Sequence, residues 1–122
     1  MSANTITDCE LQVMMVIWES EKQLTLPDIL ERVNEKYAKN WKAPTVSTFL
    51  ARLVKKEFLS MQRTGRTFIY KSLVDQVKYK ENVLQEDLDF WCYSSLADLV
   101  KSLSKVRTFS NQEKEEVRKM LE

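Results

Sequence analysis

The only glycine of the chain, Gly65, lies in the stretch QRTGRTFIY, residues 62–70, and two prolines complete the rigid or permissive turn residues in 122 positions. Glycine reaches positive φ without the clash a Cβ would cause, so this chain has one inexpensive place for a tight reversal. The apolar period changes at that place. Leu59, Met61, Phe68 and Tyr70 alternate with Ser60, Gln62, Thr67 and Ile69, the pattern of two half-buried strands. With Thr64 and Gly65 as a two-residue turn, Arg63 faces Arg66, Met61 faces Phe68 and Leu59 faces Tyr70. The larger apolar pairs then share one face, directed toward whatever helices the rest of the chain supplies.

Those helices are announced by Ser or Thr followed three residues later by an acid: Thr7 and Glu10, Thr25 and Asp28, Ser95 and Asp98, Ser110 and Glu113. The hydroxyl accepts from an orphan N–H of the first turn while the acid reaches back. Leu11, Met14, Met15 and Trp18 follow Thr7 at helical spacing, and Leu26, Ile29, Leu30, Val33 and Tyr37 follow Thr25. A third helix begins near Ala43-Pro44, where proline is tolerated in the first turn, and its apolar stripe is Val46, Phe49, Leu50, Leu53 and Val54. Three helices and a hairpin make a winged helix-turn-helix, with Gln23-Leu24 as a short third strand. Beyond it, residues 75–93 read as one long helix bearing Val77, Val83, Leu84, Leu88 and Trp91. A further helix carries Leu96, Leu99, Val100, Leu103 and Val106, and a last one Val117, Met120 and Leu121. The fold class expected is mainly α (α+β), with a winged-helix domain over 1–73 and a helical dimerisation domain over 74–122. The second part is too small to bury its own stripes, which points to pairing with a second copy.

Composition then narrows the chemistry. There is no histidine, so neither a Ser-His or Cys-His nucleophile pair nor a zinc site of the usual Cys/His types can be assembled. The acids sit on polar helix faces without clustering, and no phosphate loop is present. A non-enzyme without cofactor or metal is expected. Cys9 and Cys92 are far apart and read as buried free thiols rather than a disulfide or redox pair. The longest apolar run is Val13–Trp18, far short of a membrane span, and no signal segment is evident, so a cytoplasmic protein is expected.

The formal net charge of +1 conceals an asymmetry: residues 1–72 carry +3 and residues 73–122 carry −2. Between 39 and 71 the bases Lys39, Lys42, Arg52, Lys55, Lys56, Arg63, Arg66 and Lys71 oppose Glu57 alone. A basic block of this kind is a candidate phosphate footprint. Arginines opposed across a hairpin repel by about 0.2–1 kcal/mol, unless solvent screens them at an exposed tip or an anion lies between them. Opposite the core stripe of the third helix lie Thr45, Thr48, Arg52 and Lys55, flanked by Ser47 and Lys56. Short hydroxyls at the helix start suit base edges or phosphate in a major groove, and the longer bases suit the flanking backbone. The alternative is a solvated polar face. The aromatics Trp18, Trp41, Phe49, Phe58, Phe68 and Tyr70 fit core or junction positions, and Trp91 fits packing or a dimer contact.

Taken with their order and spacing, ELQVMMVIW, WKAPTVSTFLARLVKK and RTGRTFIYKSLV resemble the penicillinase and methicillin-resistance repressors (BlaI/MecI-like), relatives of the copper-responsive CopY-type repressors. The similarity spans nearly the whole chain and weakens after about residue 95. It implies a homodimeric transcriptional repressor whose winged helix binds a palindromic DNA operator and whose C-terminal helices form the dimer. DNA-contact positions carry over to Thr45, Ser47, Thr48, Arg52, Lys55, Arg63 and Arg66. Family members with a known signal are inactivated when a membrane metalloprotease sensor triggers cleavage within the C-terminal helices. Three departures stand out. Pro44 and Ser47 occupy positions that are basic in the best-known relatives, which bears on the operator sequence. Ser102-Leu103 stands where those relatives have the cleaved Asn-Phe. No C-terminal Cys-x-Cys array is present, which argues against copper sensing of the relatives' kind. A second function class stays open at the level of sequence: a winged-helix module using its basic face for an acidic protein partner.

Overall fold

The computed structural model describes residues 5–91 and 95–122. Along the chain run α1 (Asp8–Glu19), α2 (Leu26–Tyr37), α3 (Ala43–Lys55), β1 (Leu59–Thr64), β2 (Thr67–Ser72), α4 (Gln76–Phe90), α5 (Leu96–Val106) and α6 (Asn111–Leu121). The chain divides into two compact units, one up to Lys80 and one from Glu81, so the division falls inside α4.

The four Ser/Thr-to-acid signals each start a helix. Thr7 and Thr25 form complete capping boxes with Glu10 and Asp28, while Ser95 and Ser110 accept from the N–H of Asp98 and Glu113. In the first unit α1, α2 and α3 pack on one another, and the hairpin closes the remaining side against α1 and α3. Val13, Met14, Ile29, Val33, Val46, Leu50, Leu53 and Leu59 are sealed from solvent at this junction. Leu24 forms a single antiparallel bridge to Tyr70, so the expected third strand is reduced to one residue pair. Tyr79, in the first turn of α4, packs on the rings of Trp18 and Phe58. The indole N–H of Trp18 donates to Val74 O at 2.9 Å and Ser72 Oγ at 3.0 Å, tying the end of the hairpin to α1.

Three details differ from the sequence expectation. The turn is Gly65-Arg66 rather than Thr64-Gly65: Thr64 pairs with Thr67, Arg63 with Phe68 and Met61 with Tyr70. Gly65, at φ +64°, occupies the first central position, where a type II′ turn places its glycine. The arginines therefore do not face each other, and the Arg63 Nε–H instead donates to Gly65 O at 3.0 Å. Because the turn moved by one residue, opposing partners shifted by two and every side chain kept its expected face. Second, the hairpin diverges from the helices toward its tip. Leu59 and Tyr70 are buried, whereas Met61 and Phe68 are 49% and 42% exposed. Third, the sealed face of α1 is Val13, Met14, Val16 and Ile17, with Leu11, Met15 and Trp18 half-buried. An unbroken apolar run does not reveal which face is innermost when a helix is covered on several sides. Cys9 is a free thiol and half-buried rather than buried, and Cys92 lies outside the described residues.

Two further residues take up left-handed backbone without being glycine: Ala38, which ends α2 at φ 53°, and Glu57, just past α3 at φ 65°. At the end of α3, Phe58 N–H reaches Leu53 O and Glu57 N–H reaches Val54 O, a Schellman closure with glutamate at the position where glycine is usual.

The second unit is different in kind. None of the described residues of α4, α5 or α6 is buried. Leu96, Val100, Leu103 and Val106 on α5 and Val117, Met120 and Leu121 on α6 are all exposed by 42% or more. Arg107, the C-cap of α5, pairs with Glu113 in the first turn of α6 at 2.6 Å and spans the short connection between them.

Candidate nucleic-acid interface

The α3 helix owes its position to two devices. At its start, the Asn34 amide brackets the preceding loop: Trp41 N–H donates to Asn34 Oδ1 at 2.9 Å and Asn34 Nδ2 donates to Trp41 O at 3.0 Å. Trp41 then packs on Phe49 of α3, with the Lys39 ammonium 5.7 Å from its ring centroid. At the other end Lys56 donates to both oxygens of Glu10, at 2.8 and 3.1 Å, and to Thr5 O at 3.2 Å. Glu10 is fully buried, an expensive place for a carboxylate without a counterion. Burial pushes its carboxyl up, but the bonds from Lys56 and Thr7 outweigh that and hold it below the usual 4.5. Glu10 is thus both the acid of the first capping box and the anchor for the end of α3.

With α3 fixed, its outer face presents Thr45, Ser47, Thr48, Arg52 and Lys55, all exposed. The Thr48 hydroxyl donates to Pro44 O at 3.0 Å, so its lone pairs and methyl are what it offers outward. The helix start is unlike the others. Lys42 is its N-cap, no side chain caps it and its first turn holds no acid, whereas α1, α2, α5 and α6 each have both a hydroxyl cap and a first-turn acid. Among the described residues the positive end of the α3 dipole is consequently uncompensated, as suits an approaching phosphate. Arg63 and Arg66 are exposed at the hairpin tip.

Seven of the eight residues expected from the sequence therefore lie exposed on α3 and the wing. Lys56 does not join them, because its ammonium is engaged by Glu10. Sequence reasoning placed Lys56 by its charge alone, and nothing in the local pattern signals that a residue 46 positions away needs a counterion. The Asn34 bracket was likewise missed, since an asparagine in an amphipathic stripe carries no mark of its partner. Ser102 and Leu103 lie within α5, in helical backbone, with Leu103 O accepting from Arg107 N–H at 3.2 Å.

The family model described as Penicillinase repressor matches residues 6–122. The chain belongs to the penicillinase repressor family. Members of that family are DNA-binding transcriptional repressors and not enzymes. The penicillinase repressor of Bacillus licheniformis is 28% identical over 117 residues, covering 96% of this chain and 89% of its own length. An uncharacterized 16.5 kDa protein of Latilactobacillus sakei is 33% identical over 91 residues; the match covers 75% of this chain and 60% of that protein. Among solved structures, the DNA-binding domain of the repressor BlaI superposes with a TM-score of 0.54 at 31% identity, covering 64% of this chain and 92% of that one. The monomeric form of B. licheniformis BlaI in complex with the blaP half-operator gives 0.50 at 32% identity, covering 62% and 88%. These likenesses establish the winged-helix fold of the first unit. No helix among the described residues is long and apolar enough to cross a membrane.

Proposed function

We propose that this protein represses transcription as a homodimer, setting one α3 helix from each copy into the major groove of a palindromic operator, with the wings on the flanking backbone. The observation that carries this reading is the α3 face itself: hydroxyl side chains at an uncapped helix start, then Arg52 and Lys55, beside a wing tipped by Arg63 and Arg66. The BlaI half-operator complex, in a relative of the same family, supports it. Ser47, Thr48 and Thr45 are the residues for base edges or phosphate near the helix start, and Arg52, Lys55, Arg63 and Arg66 are for phosphates. Half-sites one turn of DNA apart would require the paired copies to present their two α3 helices about 34–36 Å apart. A dimer bound there excludes polymerase from the promoter. The route of induction that the family resemblance implies, cleavage within the C-terminal helices set off by a membrane metalloprotease sensor, would fall at Ser102–Leu103, where this chain departs from the relatives' Asn-Phe and the bond lies in helical α5; cutting there would divide the pairing surface.

The experiment is selection of bound duplexes from a randomised pool, followed by salt titration on the recovered sequence. The expected result is a twofold-symmetric motif and a log–log slope of about −0.9 per phosphate neutralised. Arg63→Ala and Arg66→Ala should each lower the magnitude of that slope by about 1 per half-site without changing the motif. Thr48→Ala should instead change which sequences are recovered. Binding that is insensitive to salt and recovers no motif would point the basic face toward an acidic protein partner.

A further inference from the structure

A cleft of about 400 Å³ lies between the hairpin residues Met61, Phe68 and Tyr70 on one side and the start of α2 (Thr25, Leu26 and Pro27) with Ser47 of α3 on the other. A narrower extension of about 250 Å³ continues past Ser47 and Ala51 against Met61. Small residues four apart on α3 keep that wall low, so the cleft opens outward rather than closing into the core. Among the described residues its lining carries no charged side chain. Met61 and Phe68 are nonetheless half exposed to water, an unusual position for two large apolar side chains, and Phe68 is paired across the hairpin with exposed Arg63.

Exposed cations stand on the same elements: Arg63, the strand partner of Phe68, and Arg66 on the hairpin, and Arg52 and Lys55 on α3, each next in sequence to a lining residue, Ala51 or Val54. A nucleic-acid strand held by its phosphates on both elements would lay its uncharged part across the patch. The apolar group that a base pair presents in the major groove is the thymine C5-methyl. We propose that Met61 and Phe68 are specificity-determining residues that read the C5-methyl of a thymine on the strand lying between α3 and the wing. This rests on the reading that α3 enters the major groove.

The test uses the full chain and the duplex recovered from the randomised pool. Each thymine is replaced in turn by deoxyuridine, which removes the methyl and nothing else. One thymine per half-site should lose about fourfold in affinity, the worth of one buried methyl. In Phe68→Ser and Met61→Ala that ratio should fall toward one, while the salt slope stays as in the parent and each variant, though its thermal midpoint is lower, remains folded at the assay temperature. Phe68→Leu, which keeps an apolar contact, should retain most of the ratio. Deoxyuridine that costs nothing at any position would overturn the proposal, as would a penalty that persists unchanged in both variants. Uniform weakening of both duplexes in the variants would also overturn it and assign the patch to deoxyribose. These results leave the groove reading standing. A pool that yields no motif fails the groove reading itself and the proposal with it.

Discussion

The two units of this chain solve the problem of apolar surface in opposite ways. Up to Lys80, three helices and a hairpin enclose a core in which Val13, Met14, Ile29, Val33, Val46, Leu50 and Leu53 are wholly inaccessible. From Glu81 on, the described residues include apolar stripes just as regular, yet none of them is buried. Helix quality does not separate the units, since hydroxyl caps start helices in both. What separates them is tertiary closure, because the first unit brings a hairpin across the open side of its helices and the second, among its described residues, has no comparable element. The contrast teaches that the first unit's stability is internal, and that the second carries surface suited to a partner. In our reading that partner is a second copy of the chain.

The comparison breaks most directly on matched truncations. Leu50→Ala deletes a side chain with no exposure and should destabilise the first unit by about 2–5 kcal/mol, read by urea denaturation. Val100→Ala, at 42% exposure, should change the same unfolding curve by less than about 0.5 kcal/mol in dilute protein. Equal losses would show that the second unit has a core of its own.

The next largest effect concerns the ion pair beneath α3. Lys56→Met leaves the Glu10 carboxylate buried with only its Thr7 bonds and should cost about 2–3 kcal/mol near neutral pH, since Lys56 itself is partly exposed. The pH dependence has a definite sign. Glu10 and Asp28 both titrate below their ordinary values in the folded protein, Glu10 because bonds from Lys56 and Thr7 overcome its burial, Asp28 because Thr25 donates to it through N–H and hydroxyl. Their contribution is therefore complete above the unfolded values of about 4.5 and 3.8 and is lost as pH falls through the lower folded ones. In Lys56→Met the gap to the parent should narrow in acid, because a neutral Glu10 needs no counterion. A gap constant from neutral pH into acid would mean that Lys56 acts by packing alone.

This pair also shows where sequence reading reaches its limit. Caps, helix stripes, the wing and the α3 face were legible because each is a pattern within a few residues. Glu10 was legible as a cap for the same reason, but its burial and its partner Lys56 depend on how α1 meets α3. The turn at Gly65 was located to within one residue, since glycine marks where positive φ is cheap without saying which turn position it fills. The outward exposure of Met61 and Phe68 was misread for another reason: alternation gives the face of a strand, not how far along the strand the neighbouring helices extend.

A charge in the second unit should act on assembly alone. Leu103→Asp places a carboxylate in the exposed α5 stripe and should weaken self-association by roughly tenfold to a hundredfold, measured by sedimentation equilibrium. The thermal midpoint of the first unit should stay unchanged at low protein concentration. A fall in that midpoint would contradict the division of labour between the units, and unaltered association would remove α5 from the pairing surface.

The smallest effects test whether the first unit's remaining weakness lies in its backbone. Gly65 has nothing within 4 Å of where a Cβ would sit, so Gly65→Ala meets no neighbour and should cost only the backbone strain of an L-residue at φ +64°, at the first position of a type II′ turn, about 1–3 kcal/mol. Glu57 holds a similar φ of 65° with a Cβ already present, so Glu57→Gly should move stability the other way. Its gain should be about 0.5–1 kcal/mol, because glycine also enlarges the freedom of the unfolded chain. Both substitutions lie in the first unit, and neither should alter self-association. If Glu57→Gly destabilised instead, the left-handed glutamate would be held by something other than the Schellman closure, and the two positions would cease to be comparable. Opposite signs at nearly equal φ, with association constant, would locate both effects in local backbone rather than in the core or the partner surface.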